Sequence, residues 1–376
     1  MITRLPVFSL VCLFFMVSAV QHPTGFITLK ECVQQGAEAT YVLQENGEKQ
    51  FVLILENGVV VDEGGIVTHD GKILTDTETY KQDQQRLLRG KRDISKEKIM
   101  VFDGALAVMS CPGQQCYYHW LLQALPRLKI LSDSQHAYDK IYVYADNVNY
   151  HWQKDAVYTV MDYLDISRDK LLFVEADTIV QAKKLLVPSV PWLPSKPGFW
   201  DVTLEWYKEF FKDVFVRKAQ QTPRHIFISR SKAHYRRISN ETVLMELLST
   251  TQGFVSYCLE DLSIREQATL FNNAEVIVGP HGAGWTNLIF CKPGTKIIEI
   301  DHGLKGEQRS SFKGMAEYMD CLYYPFYTDL LEQTDCPENI HDPINQDITV
   351  DVAEFDKFLQ QLGVMSTSNI TVHAKN

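Results

Sequence analysis

Residues 274–290, Ala-Glu-Val-Ile-Val-Gly-Pro-His-Gly-Ala-Gly-Trp-Thr-Asn-Leu-Ile-Phe, constrain this chain more than any other stretch. The apolar run ending at Val278 reads as a buried strand, Gly282 and Gly284 as a tight loop, and the residues after them as a helix start. A strand–glycine loop–helix unit aims backbone N–H groups and a helix N-terminus at one point, which suits an anion such as a diphosphate. The two glycines let that anion approach the backbone. An ordinary tight turn is the other reading this loop allows on its own.

Two familiar alternatives do not fit. A dinucleotide fingerprint needs G-x-G-x-x-G directly after the first strand of its domain. Here Asn287 stands where the third glycine belongs, and the unit comes late in its domain. The His281-Gly-Ala-Gly string also resembles an esterase oxyanion loop, but the chain contains no G-x-S-x-G nucleophile elbow.

A second element lies upstream, Ile228-Ser-Arg-Ser-Lys-Ala-His-Tyr-Arg-Arg-Ile238. Its cations, Arg230, Lys232, Arg236 and Arg237, directly follow the strand His225–Ser229. Ligands of parallel α/β sheets sit beyond the carboxyl ends of strands. Arg offers a planar fork to phosphate oxygens and Lys a point charge. A departing diphosphate gains charge as its bond breaks, so such cations favour the transition state over the ground state. The plain alternative is a solvated basic turn.

The third element is Tyr117-Tyr-His-Trp-Leu-Leu-Gln-Ala-Leu-Pro-Arg-Leu128. His119, Gln123 and Arg127 recur at helical spacing and share one face, with leucines on the other. An ordinary amphipathic helix gives the same pattern. Carboxylates say less. No D-x-D occurs, so a metal-chelating motif of that kind is absent. Glu299-Ile-Asp301 and Glu175-Ala-Asp177 lie near strand ends, and Glu299 is placed to reach a ribose hydroxyl.

The net charge of -10 argues against nucleic acid as a partner. A hydrophobic content of 45% and a charged content of 22% describe a globular chain, and 376 residues suggest more than one domain. Residues 5–20 form an apolar run behind Arg4, shorter than the ~20 residues of a membrane span. They read as a signal peptide, with an uncleaved N-terminal anchor as the alternative, and either directs the chain to a secretory or exported compartment. Of the eight cysteines Cys12 leaves with a cleaved signal; some of the remaining seven should pair there, the odd count leaves at least one free, and Cys111 and Cys116 are spaced to close a small loop. Sequons stand at Asn240 and Asn369.

Residues 23–100 read as a β-rich segment. Strands are expected over Phe51–Leu55 and Gly58–Asp62, with turn signals at Asn57-Gly58 and Asp70-Gly71. The charged run 81–98 reads as an exposed connection or helix. From residue 101 strands and helices alternate, the rhythm of a parallel sheet. A helix over Tyr117–Leu131 should kink or restart at Pro126, and the proline-rich stretch 188–199 marks a linker or cleft loop. The expected organisation is a leader over 1–20, the β-rich extension 23–100, a Rossmann-like acceptor domain 101–220, a Rossmann-like donor domain 221–335, and a C-terminal helix and tail 336–376.

Taken in order, Tyr118-His-Trp-Leu-Leu…Leu-Pro-Arg, Ile-Ser-Arg-Ser-Lys…Arg-Arg-Ile and Gly-Pro-His-Gly-Ala-Gly-Trp-Thr-Asn-Leu-Ile-Phe with Lys-Ile-Ile-Glu-Ile resemble glycosyltransferase family 61 over about residues 55–330. The resemblance implies an α/β GT-B fold, two Rossmann-like domains facing a cleft. It implies a nucleotide-sugar donor, a UDP-sugar in the first instance, a glycan or glycoprotein acceptor, and inversion at the anomeric carbon. It implies no cofactor and no required metal. Carried over by position, His281, Gly282, Ala283 and Gly284 lie at the donor diphosphate. Arg230, Lys232 and Arg236 or Arg237 neutralise the leaving nucleotide, and Asn287 and Glu299 hold the donor sugar or ribose. His119, Gln123 and Arg127 face the acceptor cleft, with His119 as general base. The alternative is a secreted saccharide-binding protein of the same fold without turnover.

Overall fold

The computed structural model describes residues 25–45, 48–77, 98–144, 151–175, 178–190, 202–217, 220–303, 311–328 and 345–364. The leader, the charged run up to residue 97, residues 191–199, Cys336 and the Asn369 sequon lie outside the described residues.

Two sheets organise the rest. The first contains β1 (Gly25–Ile27), β2 (Glu38–Glu45), β3 (Glu48–Glu56), β4 (Val59–Val61), β5 (Gly65–Val67), β6 (Lys72–Leu74), β7 (Lys98–Val108), β8 (Lys140–Tyr144), β9 (Leu171–Val174) and β10 (Thr178–Pro188). Its main path runs β1-β6-β5-β4-β10-β7-β8-β9, with β3 also on β10 and β2 on β3. β10, β7, β8 and β9 are mutually parallel, whereas β3 and β4 meet β10 antiparallel. The second sheet contains β11 (His225–Ser229), β12 (Val255–Cys258), β13 (Val276–Pro280), β14 (Lys296–Asp301) and β15 (Leu322–Tyr327), all parallel, in the order β12-β11-β13-β14-β15.

Strand periodicity explains the layering. In β8, Ile141 and Val143 enter one core and Tyr142 and Tyr144 another. In β11, Ile226 and Ile228 enter the first of these cores, and Phe227 enters a third beneath the second sheet. One apolar core therefore touches both sheets and is filled between them by the helices Arg127–Ser134, His151–Tyr163, Val202–Phe215 and Ile264–Asn273. Strands buried on both faces read as near-continuous apolar runs, as in Phe51–Leu55, where every residue is buried.

The α/β class is as expected, with a mixed first sheet and a purely parallel second one. The division at residue 100 is not what the pairing shows. β10 has eleven residues, long enough to hold β7 on one side and β3 with β4 on the other. Residues 23–100 thus complete the sheet of β7–β10. The Asn57-Gly58 turn signal does not reverse the chain either, because β3 and β4 follow one another along β10. Asn57 N–H donates to Lys183 O at 2.9 Å, and Ala182 N–H to Gly58 O at 2.9 Å. Asp70-Gly71 does close a hairpin between β5 and β6. The described C-terminal residues belong to the second half. Ile348 bridges Ile238, and Phe355 and Leu359 of the helix Val352–Gln361 enter the core beneath that sheet.

Pro126 acts as expected. An α-helical turn Tyr117–His119 opens into a π-helix Trp120–Ala124, where Leu125 N–H reaches back five residues to Trp120 O at 2.9 Å, and a new helix begins at Arg127. The cysteine expectation is corrected: Cys32, Cys111, Cys116, Cys258, Cys291 and Cys321 are free thiols. Hydrogen bonds close the 111–116 loop instead, from Cys116 N–H to Gly113 O (2.9 Å) and from Cys111 N–H to Gln114 Oε1 (3.2 Å). At the Asn240 sequon the side-chain amide is engaged in the fold, donating to Val350 O (2.8 Å) and accepting from Val350 N–H (3.1 Å). No helix among the described residues is long and apolar enough to cross a membrane.

Candidate active site at the switch point of the second sheet

Every strand of the second sheet ends at the same edge, because all are parallel. From β11 the chain runs through the helix Glu241–Gln252 to β12, and from β12 through Ile264–Asn273 to β13. Leu244 and Leu248 of the first helix pack in the core on one face of the sheet, and Ile264, Ala268 and Phe271 of the second in the core on the other. The segment that leaves β13, Ala283–Phe290, packs Trp285 and Leu288 into that second core, so the chain leaves β11 and β13 on opposite faces and opens a crevice between those strand ends. Ligands of open α/β sheets occupy this position. β11 ends in the basic loop and β13 in the glycine loop, so the topology brings the two sequence elements together.

A cavity of about 130 Å³ lies there. Ile228, Ser229 and Pro280 form its floor, Arg230 and the Gly282–Trp285 backbone two walls, and Leu259, Glu260 and Gln267 a third. Tyr117 closes it from the first half of the molecule. Both glycines are required by close approach. A Cβ on Gly282 would collide with the Arg230 guanidinium, and one on Gly284 would lie 2.7 Å from Leu259 Cδ1. The helix that follows, Ala283–Phe290, is 3-10 rather than α.

Arg230 is the cation inside this cavity. Its Nη2 donates to Tyr235 O at 3.0 Å, and its buried Nε has no hydrogen-bond partner. Burial, and then the charge of nearby Arg236, hold the guanidinium below the usual arginine range. A buried cation beside a second cation is unfavourable until an anion arrives. Arg236 lies over the Tyr235 ring at 4.7 Å and takes a left-handed backbone at φ 59°. The doubled arginine is thereby resolved. Arg237 turns away to Asp347, with its N–H at 2.8 Å and its Nε at 2.9 Å from the carboxylate.

Lys232 is not in the cavity. It is exposed and meets Asp261 at 2.5 and 2.7 Å. Exposed ion pairs contribute about 1 kcal/mol or less. Lys232→Ala should therefore change the melting temperature little and leave most of the turnover, a contrast with Arg230 that a paired activity assay will read.

His281 and Glu299 form a buried pair beside the glycine loop. Nδ1 lies 2.6 Å from Glu299 Oε1, and Glu299 Oε2 accepts from Tyr323 OH. An ionised carboxylate only accepts, so His281 Nδ1 is the donor of this bond. Both oxygens of Glu299 are used inside the protein, which removes it from a ribose. Asn287 is likewise committed. Its Oδ1 accepts from Tyr117 OH (2.6 Å), and its Nδ2 donates to Gln267 Oε1 (2.9 Å) and Gly284 O (3.1 Å). It ties the first half of the chain to the glycine loop and does not face a sugar.

Two acceptor-cleft expectations are also corrected. Arg127 is fully buried and donates to the carbonyls of Ser110, Ser189 (3.4 Å) and Pro188 (2.8 Å). It ties the ends of β7 and β10 together. Gln123 is fully buried and accepts from His119 Nδ1 at 2.7 Å. His119 is half-buried, lies against Gly113 and does not line the cavity. A chain of rings, Tyr118 to Phe312 (6.1 Å) and Phe312 to His281 (5.5 Å), joins its helix to the glycine loop. Among the described residues no three His, Cys, Asp or Glu side chains are grouped to hold a metal ion.

Sequence reasoning missed Tyr117, Leu259, Glu260, Gln267 and Tyr323. Glu260 was within reach of the strand-end rule, since it follows β12 directly. Tyr323 and Gln267 carry no local signal, because only tertiary pairing brings them to Glu299 and Asn287.

Residues 117–298, just under half of the chain, match the family model described as Glycosyltransferase 61. This segment is a glycosyltransferase 61 domain. It holds all three motifs, from Tyr117 through the basic and glycine loops to β14, and is narrower than the span suggested by the sequence. Over 79 residues the chain is 31% identical to the EGF domain-specific O-linked N-acetylglucosamine transferase of Bos taurus and 29% identical to that of Rattus norvegicus, covering 20% of this chain and 15% of each relative. The protein of that name from Gallus gallus is 31% identical over 70 residues, 18% of this chain and 13% of the relative. The matched stretch thus spans about 15% of the length of these curated relatives.

Proposed function

We propose that this chain is an inverting glycosyltransferase of GT-B type that moves a sugar from a UDP-sugar to a hydroxyl of a glycan or glycoprotein in a secretory or exported compartment. The observation that carries the reading is Arg230: a guanidinium held against Gly282 at the switch point, with a buried Nε lacking a partner. A diphosphate between Arg230 and the Gly282–Gly284 backbone supplies the missing charge and acceptor. Arg236, whose charge acts on Arg230, adds a second cation nearby.

The reaction in this reading is one displacement. The acceptor oxygen attacks the anomeric carbon, the bond to the diphosphate oxygen breaks, and Arg230 and the glycine-loop amides take up the charge gained by the leaving group. His119, outside the cavity on the helix that the Tyr118, Phe312 and His281 rings join to the glycine loop, receives the acceptor proton in this reading. Gln123 Oε1 can only accept from Nδ1–H, which leaves the basic lone pair of the neutral ring on Nε2. His281, held by Glu299, serves the donor side.

A thermal-shift titration tests the reading. UDP or its sugar conjugates should raise the melting temperature, by an amount equivalent to about 2.7 kcal/mol at a hundred times Kd. Absence of any shift across nucleoside diphosphates would remove the nucleotide site. Binding without transfer or donor hydrolysis would favour the turnover-free saccharide-binding alternative.

A further inference from the structure

The cavity wall formed by Leu259, Glu260 and Gln267 carries the one carboxylate among the described lining residues, Glu260. It sits on the 3-10 turn Leu259–Asp261 that directly follows β12. β12 is parallel to β11 in register, Ser229 against Cys258, so Glu260 leaves the same sheet edge as Arg230. The turn is held in place from two sides. Gln267 Nε2 donates to Leu259 O (2.9 Å) and Leu262 O (3.1 Å), while Gln267 Oε1 accepts from Asn287 Nδ2. One side chain thus fixes the distance between this turn and the glycine loop.

The other carboxylates nearby are occupied. Glu299 binds His281 and Tyr323, Asp261 binds Lys232, and Glu241 accepts from Ser229 Oγ at 2.5 Å. Glu260 is exposed to the crevice, and no hydrogen bond holds its carboxylate among the described residues. Its charge acts on Arg230, yet it does not pair with it. A carboxylate here repels phosphate and accepts from hydroxyls. Leu259, Ile228, Trp285 and Tyr117 supply apolar surface around it.

We propose that Glu260 accepts the vicinal hydroxyls of the donor's ribose, so that the nucleoside lies toward β12 and the transferred sugar toward His281. This rests on the nucleotide reading of the cavity above. A carboxylate just past a strand of an open α/β sheet suits this contact. The same diol chemistry occurs in the transferred sugar, and the choice of probes separates the two.

Calorimetry on the full chain would compare UDP, 2′-deoxy-UDP and inorganic pyrophosphate, with wild type and Glu260→Gln. Wild type should bind UDP about tenfold or more tightly than 2′-deoxy-UDP, the scale of one charge-assisted hydrogen bond. Glu260→Gln should bring that ratio close to one. Pyrophosphate has no hydroxyls and should bind the variant as well as or better than wild type, since a negative charge near Arg230 is gone. Equal binding of the two nucleotides by wild type, or a ratio that survives Glu260→Gln, overturns the assignment. So does weaker pyrophosphate binding by the variant, which would mark a structural effect. If wild type binds none of the three probes, the nucleotide reading itself falls and takes the ribose assignment with it.

Discussion

Arg230→Ala should reduce kcat by about 10²–10³-fold, the usual effect of removing one donor aimed at charge that develops in a transition state. The fold should survive. The side chain makes one hydrogen bond to a backbone carbonyl, and its removal relieves both a buried charge and the repulsion from Arg236. The melting temperature of the free protein should therefore stay level or rise, while the shift produced by UDP shrinks. Separating these readouts matters, because a variant that merely unfolded would lose both. Unchanged turnover with intact nucleotide binding would show that the leaving group departs elsewhere.

Asn287→Ala should have the largest effect on stability. Asn287 is fully buried, and three hydrogen bonds meet on its amide, from Tyr117, to Gln267 and to Gly284. Burial pushes the Tyr117 hydroxyl well above the usual tyrosine range, so the phenol stays a neutral donor to Asn287. Leaving the buried Gln267 amide oxygen without its donor costs roughly 1–3 kcal/mol, and losing the bond from Tyr117 adds about 1 kcal/mol. A loss of about 3 kcal/mol lowers the melting temperature on the order of 5–10 °C. Activity should fall with it, because Gln267 then no longer fixes the turn 259–262 to the glycine loop. A melting temperature within a degree or so of wild type would show that these bonds contribute little beyond what water supplies.

The sequence carried the second half of this fold well. Its strands are short apolar runs, its helix Ile264–Asn273 starts at a capping box that Ser263 and Glu266 complete, and Gly253 ends the preceding helix in a left-handed conformation. These are local signals, and local physics decides them. The first half was harder. Nothing within residues 48–61 says that β3 and β4 lie along one partner, because that partner is more than a hundred residues away. Asn57-Gly58 has turn chemistry and is used instead as a bend between two strands that follow one another along β10.

The site divides in the same way. The meeting of the basic and glycine loops was legible from strand ends alone. The roles of Arg127, Asn287 and Glu299 were not, since helical spacing or strand position gives a direction but not a partner. Each of these polar groups is buried and saturated by groups remote in sequence. A buried polar side chain that satisfies its neighbours looks, in one dimension, like one poised for substrate.

The apolar core that touches both sheets limits how this molecule can breathe. Swinging the halves apart as rigid bodies would expose leucine, isoleucine and phenylalanine surface at about 25 cal/mol per Å², besides breaking the Tyr117–Asn287 bond. Hinge opening is thus disfavoured on the core side, and the cheaper route for a guest to enter is a rotamer change of the single arginine resting on Gly282.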